Sequence, residues 1–142
     1  MKYLLDTDHT SILDRPRGAE YAVLTVNLNL HSADGVGVSV VTFQEHVLGA
    51  NARISSAKTE EELLRGYELL GIVLENCRSF PLVAFDAASL LAFGRMRALK
   101  IRIATLDLRI ASIALANDLT LVTRNRGDFE KVPGLRIEDW TK

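Results

Sequence analysis

The sequence predicts an α/β fold: a three-layer α/β/α sandwich in which helices cover both faces of a central parallel sheet. Short apolar, β-branched runs of strand length alternate with helix-like segments of ten or more residues, and connections of that length return a chain to pair its strands in parallel. A length of 142 residues supplies one buried core and too little for two ordinary ones. The alternation is therefore read as a single domain spanning 1–142.

Tyr3-Leu4-Leu5 reads as the first buried strand, stopping at Asp6-Thr7-Asp8, three residue types that favour turns and a polar loop. Ser11 to Leu13 can start a short helix that Arg15-Pro16-Arg17-Gly18 ends, because proline disfavours helix in the residue before it. From Ala19 to His31 the apolar residues Ala22, Val23, Val26 and Leu30 fall at helical spacing, and Asp34-Gly35 breaks the pattern. Val36, Val38 and Val40 alternate as a strand, and Thr42 is placed to cap the helix after it, with Glu45 in that helix's first turn.

Thr59-Glu60-Glu61-Glu62 is a capping box ahead of Leu63, Leu64, Tyr67, Leu70 and Leu74 at helical spacing. Phe80 to Phe85 suits a short strand, with Pro81 near its start where a missing donor is tolerated. A helix from Asp86 to Ala98 follows, and Asp86 is its N-cap rather than a site residue. Asp107 to Ala116 is helical and runs through Asn117-Asp118 into the strand Leu119 to Thr123.

Seventeen Lys and Arg against eighteen Asp and Glu give a net charge of -1, so no global field announces a nucleic-acid partner and any such contact is local. The single Cys77 removes intramolecular disulfides and fits a reducing compartment, so the cytoplasm is the expected location. The amino terminus reaches Asp6 after two leucines, which lacks the apolar stretch of an export signal. The apolar runs are far below the ~20 residues of a membrane-spanning helix, so a soluble protein is expected.

Two acids stand where a parallel sheet collects ligands, at the carboxyl ends of strands, and two more stand on helices where packing does not require an acid. Asp6 follows the first strand and Asp128 lies in the Arg124-Asn125-Arg126-Gly127-Asp128 loop after the last long one. Asp107 begins a helix whose apolar face is Ile110, Ile113 and Ala114. Glu45 lies roughly opposite the Phe43, Val47, Ala50 face of its own helix. Brought to one crevice, these acids would repel one another unless a divalent cation neutralised them, and all-oxygen ligation suits Mg²⁺ or Mn²⁺. Such a site activates water for attack on phosphorus, which is nuclease chemistry. Each acid also has a plain structural reading: an Asx-turn at Asp6, a wet helix face at Glu45, helix caps at Asp107 and Asp128. His9, His31 and His46 have no metal-ligand spacing.

Along nearly its whole length the chain resembles the PIN-domain family, and within it the VapC-like toxins of VapBC toxin–antitoxin pairs. Three segments carry the resemblance: Tyr3-Leu4-Leu5-Asp6-Thr7-Asp8-His9-Thr10-Ser11, Ser39-Val40-Val41-Thr42-Phe43-Gln44-Glu45, and Asp107 to Ala116 with Leu119-Thr120-Leu121-Val122-Thr123-Arg124-Asn125 and Asp128-Phe129. Val132-Pro133-Gly134-Leu135 and Glu138-Asp139-Trp140 complete the family's usual ending. The resemblance implies a PIN-like domain and a Mg²⁺-dependent endoribonuclease, with Asp6, Glu45, Asp107 and Asp128 as its acidic, metal-holding pocket. It also implies a homodimer, inhibition by a VapB-like antitoxin, and growth arrest by cutting tRNA, rRNA or mRNA. Asp8 stands where the family often carries Asn and is a secondary candidate. Thr123, Arg124, Asn125 and Arg126 offer further groups to orient ligands or contact phosphate.

Two other readings stay open. Tyr3-Leu4-Leu5-Asp6-Thr7-Asp8-His9-Thr10 also resembles the Asp-x-Asp-x-Thr strand end of haloacid-dehalogenase phosphatases, with Asp6 as nucleophile and Asp8 as acid/base. Val132 stands where that family's late motif has a second acid, and neither Glu45 nor Asp107 has a part in it. The non-enzymatic reading is a PIN-like module that binds RNA or a protein without cutting.

Overall fold

The computed structural model describes residues 1–142. The chain runs β1 (Tyr3–Leu5), α1 (Thr7–Leu13), α2 (Ala19–Asn29), β2 (Val36–Ser39), α3 (Val40–Ser56), α4 (Glu60–Arg78), β3 (Leu82–Val83), α5 (Ala87–Ala98), α6 (Thr105–Ala116), β4 (Thr120–Val122), α7 (Arg126–Phe129) and β5 (Ile137–Glu138). The five strands form one parallel sheet in the order β3-β2-β1-β4-β5. With helices on both faces, this is the predicted α/β/α sandwich.

Side chains alternate across the sheet and divide the core. Leu4 and Leu121 point to a layer made with Ile110, Ile113 and Ala114 of α6, Phe93 of α5 and Phe129 of α7. Tyr3, Leu5, Val36, Val38 and Val122 point to the other layer, against Leu24 of α2 and Trp140. Ile110, Ile113 and Phe129 are fully buried; each contributes about 1.5–3 kcal/mol by leaving water. β2 is buried at all four positions, as a strand covered on both faces must be.

Several local expectations are corrected. Asp6-Thr7-Asp8 is not a loop: α1 begins at Thr7, and the Asp6 carboxylate caps it by accepting the Thr7 N–H. Ser39, not Thr42, caps α3, its Oγ accepting the Thr42 N–H at 3.0 Å, so Val40 is helical and Glu45 lies in the second turn. α6 starts at Thr105, two residues before Asp107. Asp128 sits in the short helix α7, not in a loop, because the Asn125 side chain caps it. The capping Thr59 and Asp86 are where the sequence placed them.

The apolar spacing marks α2 and α4 as helices, and the structure decides which face of each turns inward. On α2 and its C-cap, Val26 and Leu30 are exposed while Leu24 is buried and the Asn27 amide donates to the Trp140 carbonyl. On α4, Leu63, Leu64, Tyr67 and Leu74 face outward, and Gly66, Val73 and Cys77 face inward. α4 packs against α3, and at Gly66 a Cβ would come within 2.7 Å of the Ile54 side chain and 3.2 Å of its backbone nitrogen. The closeness of the two helices there requires glycine, and it sets which face of α4 turns in.

Candidate active site

β1 is the point at which the strand order changes direction: the chain passes from β1 outward to β2 and β3, then returns to β4 and β5 on the other side. In an open parallel sheet such a switch point leaves a crevice at the carboxyl ends of the two adjoining strands. Leu5 pairs with Val122, so Asp6 and Thr123 leave the sheet side by side.

Asp6 is 5% exposed. Its Oδ1 accepts the Thr7 N–H at 2.8 Å and its Oδ2 accepts the Thr123 hydroxyl at 2.7 Å. Burial, and then the neighbouring Asp8 and Asp107 charges, push its pKa up from 3.8 to about 7, although both hydrogen bonds oppose the rise. Asp107, on the first turn of α6, is pushed up to about 6 by burial, then by Glu45, Asp128 and Asp8. Asp6 therefore feels the charges of Asp8 and Asp107, and Asp107 those of Glu45, Asp128 and Asp8.

The protein orients four of the five. Glu45 accepts the Thr7 hydroxyl at 2.8 Å, so Thr7 bridges β1's end to α3. Asp128 Oδ2 accepts from the Asn125 amide at 3.2 Å, with Lys131 Nζ 3.5 Å from its other oxygen. Asp8 accepts from the Arg124 N–H at 2.9 Å and lies 3.2 Å from the Thr123 hydroxyl, whose single proton goes to the nearer Asp6 oxygen. Asp107 receives no protein donor, which leaves both of its oxygens open.

His9 was passed over in the sequence. Fully buried, it accepts the Trp140 N–H on Nε2 at 3.1 Å and lies 2.7 Å from Asp8 through Nδ1. A ring nitrogen that accepts an amide N–H carries no proton, so Nδ1 holds it and donates to Asp8. Burial would raise the Asp8 pKa, but the bonds from His9 and Arg124 outweigh it and hold the carboxylate below its ordinary range. No sequence signal distinguishes such a histidine from a half-buried surface one; its partner, Trp140, is at the other end of the chain.

Asparagine at position 9 keeps a donor near Nδ1, whereas glutamine keeps an acceptor near Nε2. If Asp8 orientation matters to turnover, H9N retains kcat and H9Q lowers it about tenfold at similar Tm. Equal kcat in two folded variants would limit His9 to a structural role.

The donor set is all carboxylate oxygen, which suits a hard divalent cation. As posed, no three acidic, histidine or cysteine side chains close on a single point. Mg²⁺ is usually held by one or two carboxylates, waters and substrate phosphate rather than by an all-protein cage. Arg124 is bound to Glu20 by two hydrogen bonds of 2.9 and 3.1 Å, and Arg126 lies 3.8 Å from Glu130.

No protein-family model matches the chain. It is 30% identical over 148 residues to the tRNA(fMet)-specific endonuclease VapC of Shigella flexneri, covering 99% of each. It is 28% identical over 144 residues to the protein of the same name from Salmonella typhimurium, covering 99% of this chain and 98% of that one. Among solved structures, VapBC2 of Rickettsia felis, bound to a DNA fragment from their promoter, matches with a TM-score of 0.72 and 26% identity over 99% of both chains. DNA-bound VapBC of Salmonella typhimurium matches in fold with a TM-score of 0.75, at 24% identity over 99% of this chain and 98% of that one.

Proposed function

The chain belongs to the VapC family of ribonuclease toxins, and from that premise we propose that it is a Mg²⁺-dependent endoribonuclease, with Mn²⁺ able to substitute. The observation that carries the metal dependence is the pair of acids whose pKa values are driven up to about 7 and 6 in one crevice. Carboxylates so crowded and buried are stabilised as anions by a cation.

Asp6, Glu45, Asp107 and Asp128 would hold the ion. When bound it supplies the charge that lowers the pKa of water and offsets the negative phosphodiester. The protein supplies the rest. Thr7 and Thr123 fix the Asp6 and Glu45 oxygens by hydrogen bonds. Asn125 orients Asp128. Asp107, with no protein donor, offers both oxygens to ion or water, and Asp8 is held as an anion beside them.

The full-length relatives are named for tRNA(fMet), which makes tRNA the RNA class to try first, ahead of rRNA and mRNA. A VapB-like antitoxin, a homodimer and a cytoplasmic location belong to the same reading. Leu63, Leu64 and Tyr67 on α4, Val26 and Leu30 on α2, and Leu90 and Leu91 on α5 are exposed apolar side chains available to such contacts. No helix is long and apolar enough to cross a membrane.

The phosphatase reading is disfavoured by the site. An acid/base at Asp8 should carry a proton near neutrality, and this carboxylate is held below its ordinary range. A nucleophilic Asp6 should be open to substrate, and it is 5% exposed with both oxygens engaged.

Purified protein free of antitoxin, incubated with total RNA and Mg²⁺ or Mn²⁺, is expected to give discrete fragments that EDTA suppresses. Fragmentation unaffected by EDTA would remove the metal from the reading. Intact RNA, tRNA included, would favour the silent binding module.

A further inference from the structure

Beside the acids lies a groove of about 620 Å³ that Thr7, Asp8 and Glu45 share with the crevice. Its walls come from α1 and the turn after it, from α3, and from Leu69 and Val73 of α4. Its formal charges cancel, four acids against four arginines, but their pairing differs. Asp8 is bonded to His9 and the Arg124 N–H, Glu20 to Arg124, and Glu45 to Thr7. Asp14 accepts from Asn76 at 2.6 Å and lies 3.5 Å from His46. Of the four arginines lining the groove, Arg124 is committed to Glu20, while Arg15, Arg17 and Arg53 join no ion pair. The groove thus holds acids already bonded to protein donors and three guanidinium groups that join no ion pair.

Their placement is built into the backbone. Arg15 and Arg17 flank Pro16 in a tight turn closed by a 2.7 Å bond from the Arg17 N–H to the Arg15 carbonyl, and Gly18 follows at φ 93°. Glu45, Gly49 and Arg53 lie at i, i+4 and i+8 on one face of α3, so Arg53 is about 12 Å along the helix from Glu45. Between them Gly49 leaves the floor bare; a Cβ there would meet nothing within 4 Å.

We propose that this groove carries the RNA backbone on one side of the reacting phosphodiester, with Arg15, Arg17 and Arg53 as its phosphate contacts. The proposal rests on the nuclease reading. Uncommitted guanidinium forks suit phosphate oxygens, and the groove shares Asp8 and Glu45 with the carboxylates beside which the scissile phosphate would sit. A peptide partner is the competing occupant. The salt dependence of RNA binding separates the two, because each phosphate contact to a single strand contributes about 0.7 to the slope of log K against log salt.

Binding of a labelled single-stranded oligoribonucleotide is measured by anisotropy on full-length protein carrying Asp107→Asn, so that binding is read without turnover. In that background Arg17→Glu and Arg53→Glu are each expected to weaken binding about tenfold and to flatten the salt slope by about 0.7. Gly49→Phe fills the groove without changing charge and is expected to weaken binding with the slope retained. Arg95→Glu, at an exposed position of α5 outside the groove, leaves both quantities unchanged. Folded Arg17→Glu, Arg53→Glu and Gly49→Phe proteins that bind RNA with parent affinity and slope would overturn the proposal and assign the groove to a protein partner. If the wild type cuts no RNA, the nuclease reading fails, while the binding series still decides the groove.

Discussion

Asp107→Asn and Asp6→Asn are each expected to lower RNA cleavage by more than about a hundredfold with the fold intact. Asp107 is the acid whose oxygens no protein group occupies, so amidation removes a ligand without orphaning a donor. Asp6 differs because it also caps α1 and holds Thr123. Asparagine keeps an oxygen for the Thr7 N–H and loses the charge, so the cap survives and the repulsion from Asp8 falls. Glu45→Gln is expected to weaken cleavage less, since an amide oxygen still accepts the Thr7 hydroxyl. Single-turnover rates at saturating RNA separate these losses from weaker binding. Wild-type rates in Asp107→Asn would remove that residue from the chemistry. A large loss of stability in Asp6→Asn would instead mark Asp6 as a structural acid.

In EDTA, the buried acids are expected to make the protein more stable as pH falls from about 8 to about 5, opposite to the usual behaviour of paired carboxylates. The Asp6 carboxyl is near 3.8 in the unfolded chain and about 7 in the folded one. Between those values the folded state binds the proton more tightly, so stability from this group is fully present below about 4 and is lost as pH rises through about 7. One fully shifted group changes stability by up to about 1.4 kcal/mol per pH unit. Asp107, raised to about 6, adds in the same direction. Near pH 8, Asp6→Asn is therefore expected to be more stable than the wild type by about 2 kcal/mol, with a flatter pH dependence by thermal denaturation. Adding Mg²⁺ or Mn²⁺ at that pH is expected to raise the wild-type Tm and to raise that of Asp6→Asn much less. A wild-type Tm indifferent to both pH and cation would contradict the acidic pocket.

Local chemistry was legible along the chain wherever a residue acts on its near neighbours. Thr59 and Asp86 cap their helices as read, because a capping side chain bonds to amides within three residues. Tyr3-Leu4-Leu5 and Thr120-Leu121-Val122 are strands because apolar and β-branched runs bounded by turn residues have few alternatives. The carboxylates of Asp6, Glu45, Asp107 and Asp128 were marked by their places after strands or off apolar faces, and by family resemblance. Their convergence was not legible, since it depends on β4 returning beside β1 so that Thr123 meets Asp6 across most of the chain. The inward faces of α2 and α4 were not legible for a related reason. Both helices carry apolar residues on two sides, and burial goes to the side its neighbours contact: Leu24 beneath the sheet, and Gly66 where Ile54 leaves no room for a Cβ. The pairing of His9 with Asp8 and Trp140 belongs to the same class. Helix starts and strand runs follow from bonds between near neighbours, whereas the site's charges, tautomer and open groove follow from long-range packing, in which residues far apart in the chain share one small, poorly hydrated volume.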